Sequence, residues 1–154
     1  MPFFRNLKSV STLWALSIYT IHYNADRLRR LGRYLSKERQ IMKLAIIGSR
    51  SFSDYKLLKD HVINNFPDVR IIISGGAKGA DQLGEKLAKE LCLSTEIYLP
   101  EWDRYGKSAG LIRNELIINI SDALIAFWDG ASPGTKKSIE ICRRIKKNLI
   151  VVPY

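Results

Sequence analysis

The sequence predicts an α/β domain, a five-stranded parallel sheet with helices on both faces, preceded by a basic helical extension at the N-terminus. Three observations predict it. From Met42 onward, five short apolar runs alternate with segments of helical period, and right-handed crossovers turn such an alternation into a parallel sheet. The runs are apolar throughout instead of alternating with polar residues, as in strands covered on both faces. Glycine-rich or polar turns follow the strands at residues 48–50, 74–81 and 129–135, as does a loop at 100–107. In a sheet of this kind all of them share the carboxyl edge, where ligands sit at the switch in strand order.

Each element has its own signal. Lys43-Leu44-Ala45-Ile46-Ile47 is the first strand, closed by Gly48-Ser49-Arg50. Ser53 or Asp54 caps a helix that runs to about Asn65, with Leu57, Leu58, Val62 and Ile63 expected inward. Pro67-Asp68 turns the chain into Ile71-Ile72-Ile73, a buried strand broken by Ser74-Gly75-Gly76. From Gly79 a helical period places Leu83, Leu87, Ala88 and Leu91 on one face. Thr95 to Leu99 reads as a strand stopped by Pro100. A helix follows from about Ser108 to Ile120, with Leu111, Ile112, Leu116 and Ile120 as its apolar positions. Residues 122–128 form an apolar, central strand. The turn 129–135 opens a helix with Ile139, Ile141, Cys142 and Ile145, and Leu149 to Val152 is the last strand.

The chain has 154 residues, 46% of them hydrophobic, enough for one packed domain. Its formal charge of +10 admits nucleic acid, nucleotides or acidic surfaces as partners. The excess is uneven. Residues 1–41 carry eight basic and two acidic side chains, +6, and the remaining 17 basic and 13 acidic groups give +4. Residues 26–39 place Leu28, Leu31 and Leu35 on one face amid arginines, an amphipathic basic helix. Val10 to Ile21 is apolar but too short to span a bilayer. Because Met42 stands directly before a complete first strand, residues 1–41 are expected to be an appendage, or an upstream mistranslated extension, and residues 42–154 the domain. Cys92 and Cys142 read as reduced packing residues of a cytoplasmic protein. His22 and His61 offer no metal-ligand spacing, and no metal or cofactor is expected.

The candidate site is the carboxyl rim. Gly75 and Gly76 permit a tight turn with a bare backbone, and the helix after Gly79 adds the positive end of its dipole, a setting for phosphate. The alternative is that the glycines only make a tight connection. Arg50 and Lys78 add positive charge, Lys78 with a solvated reading beside it. Asp81 reads either as a contact to ribose hydroxyls or as an acid in the first helical turn. Trp102 reads as a base-stacking platform or as packing for its loop.

Together the motifs resemble the YspA/cpYpsA-related SLOG family. They are Gly48-Ser49-Arg50, then residues 74–81, then Trp102 with Tyr105-Gly106-Lys107-x-Ala109-Gly110-x-x-Arg113-Asn114, then Phe127-x-x-Gly130 with Gly134-Thr135. The resemblance covers residues 42–154. It implies a Rossmann-like domain for nucleotides or nucleotide-derived ligands, a sensor or regulatory module, with homo-oligomers frequent among relatives. The ligand-binding set is then Gly48, Ser49, Arg50, Ser74, Gly75, Gly76, Lys78, Gly79, Asp81, Arg113, Asn114, Gly134 and Thr135. SLOG relatives also include DNA-processing protein A, which makes nucleic acid a second expected partner, and the Lonely Guy phosphoribohydrolases, which make N-glycosidic cleavage of nucleotides an alternative. Against that hydrolase signature, Pro-Gly-Gly-x-Gly-Thr-x-x-Glu, Ala131 and Ser132 replace glycines, Ser138 replaces the glutamate, and Asn114 replaces a lysine after the arginine.

Overall fold

Along Leu44-Ala45-Ile46-Ile47 successive side chains enter two different cores, because neighbouring residues of a strand point to opposite faces. A computed structural model describes residues 41–154. The expectations for the extension, its amphipathic helix included, lie outside the described residues. The elements are β1 (Met42–Gly48), α1 (Tyr55–Asn65), β2 (Val69–Ser74), α2 (Ala80–Glu90), β3 (Ser94–Ile97), α3 (Trp102–Tyr105), a 3-10 turn (Gly106–Ser108), α4 (Ala109–Ile120), β4 (Ala123–Trp128), α5 (Pro133–Arg144) and β5 (Asn148–Pro153). The strands are all parallel, in the order β3-β2-β1-β4-β5. This is the expected five-stranded, Rossmann-like sheet with helices on both faces.

Leu44 and Ile46 meet Leu58 and Val62 of α1 and Leu87 and Ala88 of α2 on one face. Ala45 and Ile47 meet Ile117 and Ile118 of α4 and Ile139, Ile141 and Cys142 of α5 on the other. Asp54 caps α1, its Oδ1 accepting the Leu57 amide at 2.9 Å.

Four expectations are corrected. β3 ends at Ile97, two residues early, because among the described residues it is an edge strand paired with β2 alone, which ends at Ser74; Leu99 is left 68% exposed. Ile63 faces outward, one residue round the helix from buried Val62. α4 buries Ile117 and Ile118 of its last turn, while Leu111, Ile112 and Leu116 stay exposed. Cys92 is exposed, at φ +54° just past the end of α2, and does no packing; Cys142 is buried as expected.

The strand order reverses between β1 and β4, and the join is tight. Ser49 donates its amide to the Phe127 carbonyl at 3.0 Å. A Cβ on Gly48 would stand 2.6 Å from both Ala80 Cβ and the Phe127 oxygen. Gly79, at φ +82°, turns its Cα against the Ser49 and Arg50 carbonyls. The first glycine of the rim thus lets β1, β4 and the start of α2 touch. Gly48→Ala is expected to destabilise the protein by about 2 kcal/mol through overpacking. Gly134→Ala, where an added Cβ meets nothing within 4 Å, is expected to be neutral or slightly stabilising. Urea denaturation of both variants checks the contrast.

Candidate anion-binding cleft

The reversal between β1 and β4 opens a crevice at the carboxyl edge. It is a cavity of about 260 Å³ reached by Gly48 at the end of β1 and Arg50 just after it, Asp81 of α2, Arg113 and Asn114 of α4, and Gly134 and Thr135 of α5. A second cavity, of about 650 Å³, adjoins it, with Gly75, Gly76 and Lys78 on one wall and Leu99 and Pro100 on another. Arg50, Ala77, Trp102 and Arg113 line both.

The structure brings most of the predicted residues to one rim, but the backbone of the first glycine turn is not bare. Asp81 Oδ2 accepts the amides of Gly75 at 3.0 Å and Ala77 at 3.3 Å. Ser74 Oγ accepts the Gly76 amide at 3.0 Å and donates to Glu85 Oε1 at 2.6 Å. Three consecutive donors expected to face an anion are therefore satisfied by the protein's own side chains. The cause is local: Asp81 stands in the first turn of α2, where a carboxylate is drawn to the helix's positive end, and Gly76, at φ +68°, folds the turn back within its reach.

Arg113 closes the turn from the other side. Its Nη1 donates to the Gly75 carbonyl and, at 3.3 Å, to the Tyr98 carbonyl, and its Nε donates to Asn114 Oδ1 at 2.9 Å. Asn114 Nδ2 donates to Ser138 Oγ at 3.0 Å, and Ser138 donates to the Gly134 carbonyl at 3.1 Å. Asn114 is thus the tie between α4 and α5. Ser138 is fully buried. Its importance was missed because the sequence marks it only as a departure from a motif. Ser49 is buried, its Oγ accepting the Asp129 amide at 3.3 Å, and it shapes the join without lining either cavity.

α5 presents a different picture. Asp129 Oδ1 takes the amides of Ala131 and Ser132 at 3.0 and 2.8 Å, and those contacts hold its carboxyl below the usual range. The Lys136 amide goes to the Ser132 carbonyl. The amides of Gly134 and Thr135, in the first turn where no intrahelical acceptor exists, have no partner among the described residues. They are free to meet an external anion that enters the first cavity, with exposed Arg50 also lining it.

Burial raises the Asp81 carboxyl to about 6, against the opposing pull of the Ala77 amide, the Arg113 guanidinium and the Gly75 amide; Glu85 pushes it up further. Burial also lowers the Arg113 guanidinium, with Asp81 holding it up and Arg50 adding to the fall. Among the described residues no group of three His, Cys, Asp or Glu could hold a metal ion, and no helix is long and apolar enough to cross a membrane.

No protein-family model matches the chain. It is 29% identical over 103 residues to the Gene 61 protein of Mycobacterium phage D29, an alignment spanning 61% of this chain and 82% of that one. In three dimensions it is similar to DNA processing protein A from Streptococcus pneumoniae, with a TM-score of 0.63 and 18% identity over 75% of this chain. It is also similar to DNA processing protein A from Helicobacter pylori, in a structure describing that protein's single-stranded DNA binding mode, with a TM-score of 0.50 and 25% identity over 73% of this chain. The match spans 51% of the first of these proteins and 66% of the second. This chain shares its Rossmann-like α/β fold with the two DNA processing proteins A.

The raised Asp81 carboxyl has a signed consequence. Its folded value, about 6, lies above the 3.8 of an unperturbed aspartate, so the folded state holds the extra proton between them. Stability contributed by this group falls as pH rises from about 4 to about 6 and is flat above. Asp81→Asn keeps an acceptor for the turn amides and abolishes the titration. At pH 7.5 it is expected to stabilise the protein by up to about 3 kcal/mol, less whatever Arg113 loses with its counter-charge. Urea unfolding of both proteins across pH 4–7 checks the sign.

Proposed function

We propose that this chain is a cytoplasmic protein that binds the sugar–phosphate backbone of single-stranded nucleic acid, with one phosphate seated on the Gly134 and Thr135 amides. The observation that carries the reading is the contrast between two helix starts on one rim. The α2 turn already holds an anion, Asp81, whereas the α5 start is open, at the switch point, with Arg50 opposite. A phosphate there meets two backbone donors, a helix dipole and a guanidinium. Lys78, exposed on the second cavity, extends the positive rim. Similarity to a protein described by its single-stranded DNA binding mode supports the same reading, as does the chain's basic balance.

Within the SLOG fold we assign the chain to the YspA/cpYpsA-related branch, on the four ordered motifs of its sequence. A nucleotide or nucleotide-derived ligand is the second reading. It is favoured by the modest first cavity, about 260 Å³, near the lower bound for small-molecule sites.

Fluorescence anisotropy with a labelled oligothymidylate tests the proposal. Affinity is expected to fall steeply with salt. Arg50→Ala is expected to lower the slope of log K against log salt by about 1. Gly134→Asp places a negative charge where it favours the helix but repels a phosphate, and is expected to weaken binding at least about tenfold in a protein no less stable. Binding undiminished by Gly134→Asp would put the contact outside the cleft, and no binding by folded protein at low salt would overturn the reading.

A further inference from the structure

Trp102 lies 54% exposed on the four-residue α3, between Pro100 and Gly106, and its indole N–H has no acceptor among the described residues. Trp128, by contrast, is partly buried and donates Nε1 to the Ser132 carbonyl at 3.2 Å. Core packing therefore accounts for Trp128 and not for Trp102. Gly110 sets the place of the exposed ring: a Cβ there would touch Trp102 Cη2 at 3.5 Å, ordinary contact.

The two cavities meet at this ring, and each repeats one composition. The first has Leu111, 40% exposed, together with the open α5 amides. The second has Leu99, 68% exposed, together with Lys78. Arg50 and Arg113 belong to both. Each cavity thus offers an apolar wall and a place for negative charge, and Trp102 lines both. A nucleotide needs that pair, an apolar face for the base and a donor for the phosphate.

We propose that the cleft takes two consecutive nucleotides of a strand, one in each cavity, with Trp102 shared between their bases. The ligand class is then an oligonucleotide of at least two residues, in preference to a mononucleotide. The inference rests on the phosphate-binding reading above and specifies the footprint of that same site.

Isothermal titration of the full chain with 5′-phosphorylated oligothymidylates of one, two, three and six nucleotides tests it. Affinity is expected to rise at least about tenfold from one nucleotide to two, then by small increments. Trp102→Ala is expected to weaken the mononucleotide by at most about tenfold and the dinucleotide by about a hundredfold, since the longer ligand loses the indole in both cavities. Trp102→Leu, which keeps apolar bulk without a flat face, should behave like alanine, and Trp102→Phe should keep most of the step. Equal affinity for one and two nucleotides, or a step that survives in the alanine or leucine variant, overturns the two-nucleotide footprint and leaves the phosphate reading standing. Failure of every length to bind overturns both.

Discussion

A carboxylate buried inside the glycine turn governs what the rest of the rim can do. Asp81 reaches back from the first turn of α2 to the Gly75 and Ala77 amides, while Arg113 binds the Gly75 carbonyl from α4. The same stretch of backbone is held on its donor side by an acid and on its acceptor side by a base. It is thereby fixed between two helices on opposite faces of the sheet. The raised pKa of Asp81 shows that the loss of water outweighs these compensations. The arrangement makes the turn internally satisfied, and it removes from the α2 turn the anion affinity that its glycines suggest. At the turn from β4 into α5, by contrast, Asp129 holds only the amides ahead of the helix and the helix start is open.

The fold was legible in the sequence because its signals are local. Five apolar runs, the Asp54 cap and the glycines after β1 and β2 each report a backbone requirement that tertiary structure has no reason to override. The strand order and the gathering of turns on one edge follow from chain connectivity. What was not legible is occupancy. Glycine spacing reports that a backbone is free to bend, not whether its amides are taken, and the partner that takes them, Asp81, is the residue that read equally well as a ribose contact. Burial on α4 was lost for a related reason. Leu111, Ile112 and Leu116 have the composition of a core face, yet the helix buries Ala109 at its start and Ile117 and Ile118 in its last turn, so period alone could not tell cleft and surface positions from core. Trp102 was open to either reading in the sequence; its exposure and its place in the lining of both cavities count against simple core packing.

The same geometry separates holding a phosphate from breaking a bond. Where the phosphoribohydrolase motif carries its glutamate, Ser138 is enclosed and committed to Asn114 and the Gly134 carbonyl. Glu140 lies on the exposed side of α5, with Lys137 at 4.0 Å, and does not line the cleft. Asp81 lines it, but one carboxyl oxygen is bound to two amides. Arg113 is committed to two carbonyls and to Asn114. Catalysis requires groups whose interactions strengthen as charge develops in the transition state. A guanidinium already satisfied by fixed backbone acceptors has little to add at that moment, whereas a phosphate that arrives fully charged is served equally well before and after it binds. Open helix amides, an exposed Arg50 and an exposed indole suit such uniform binding, which is what the proposed strand-binding role asks of the rim.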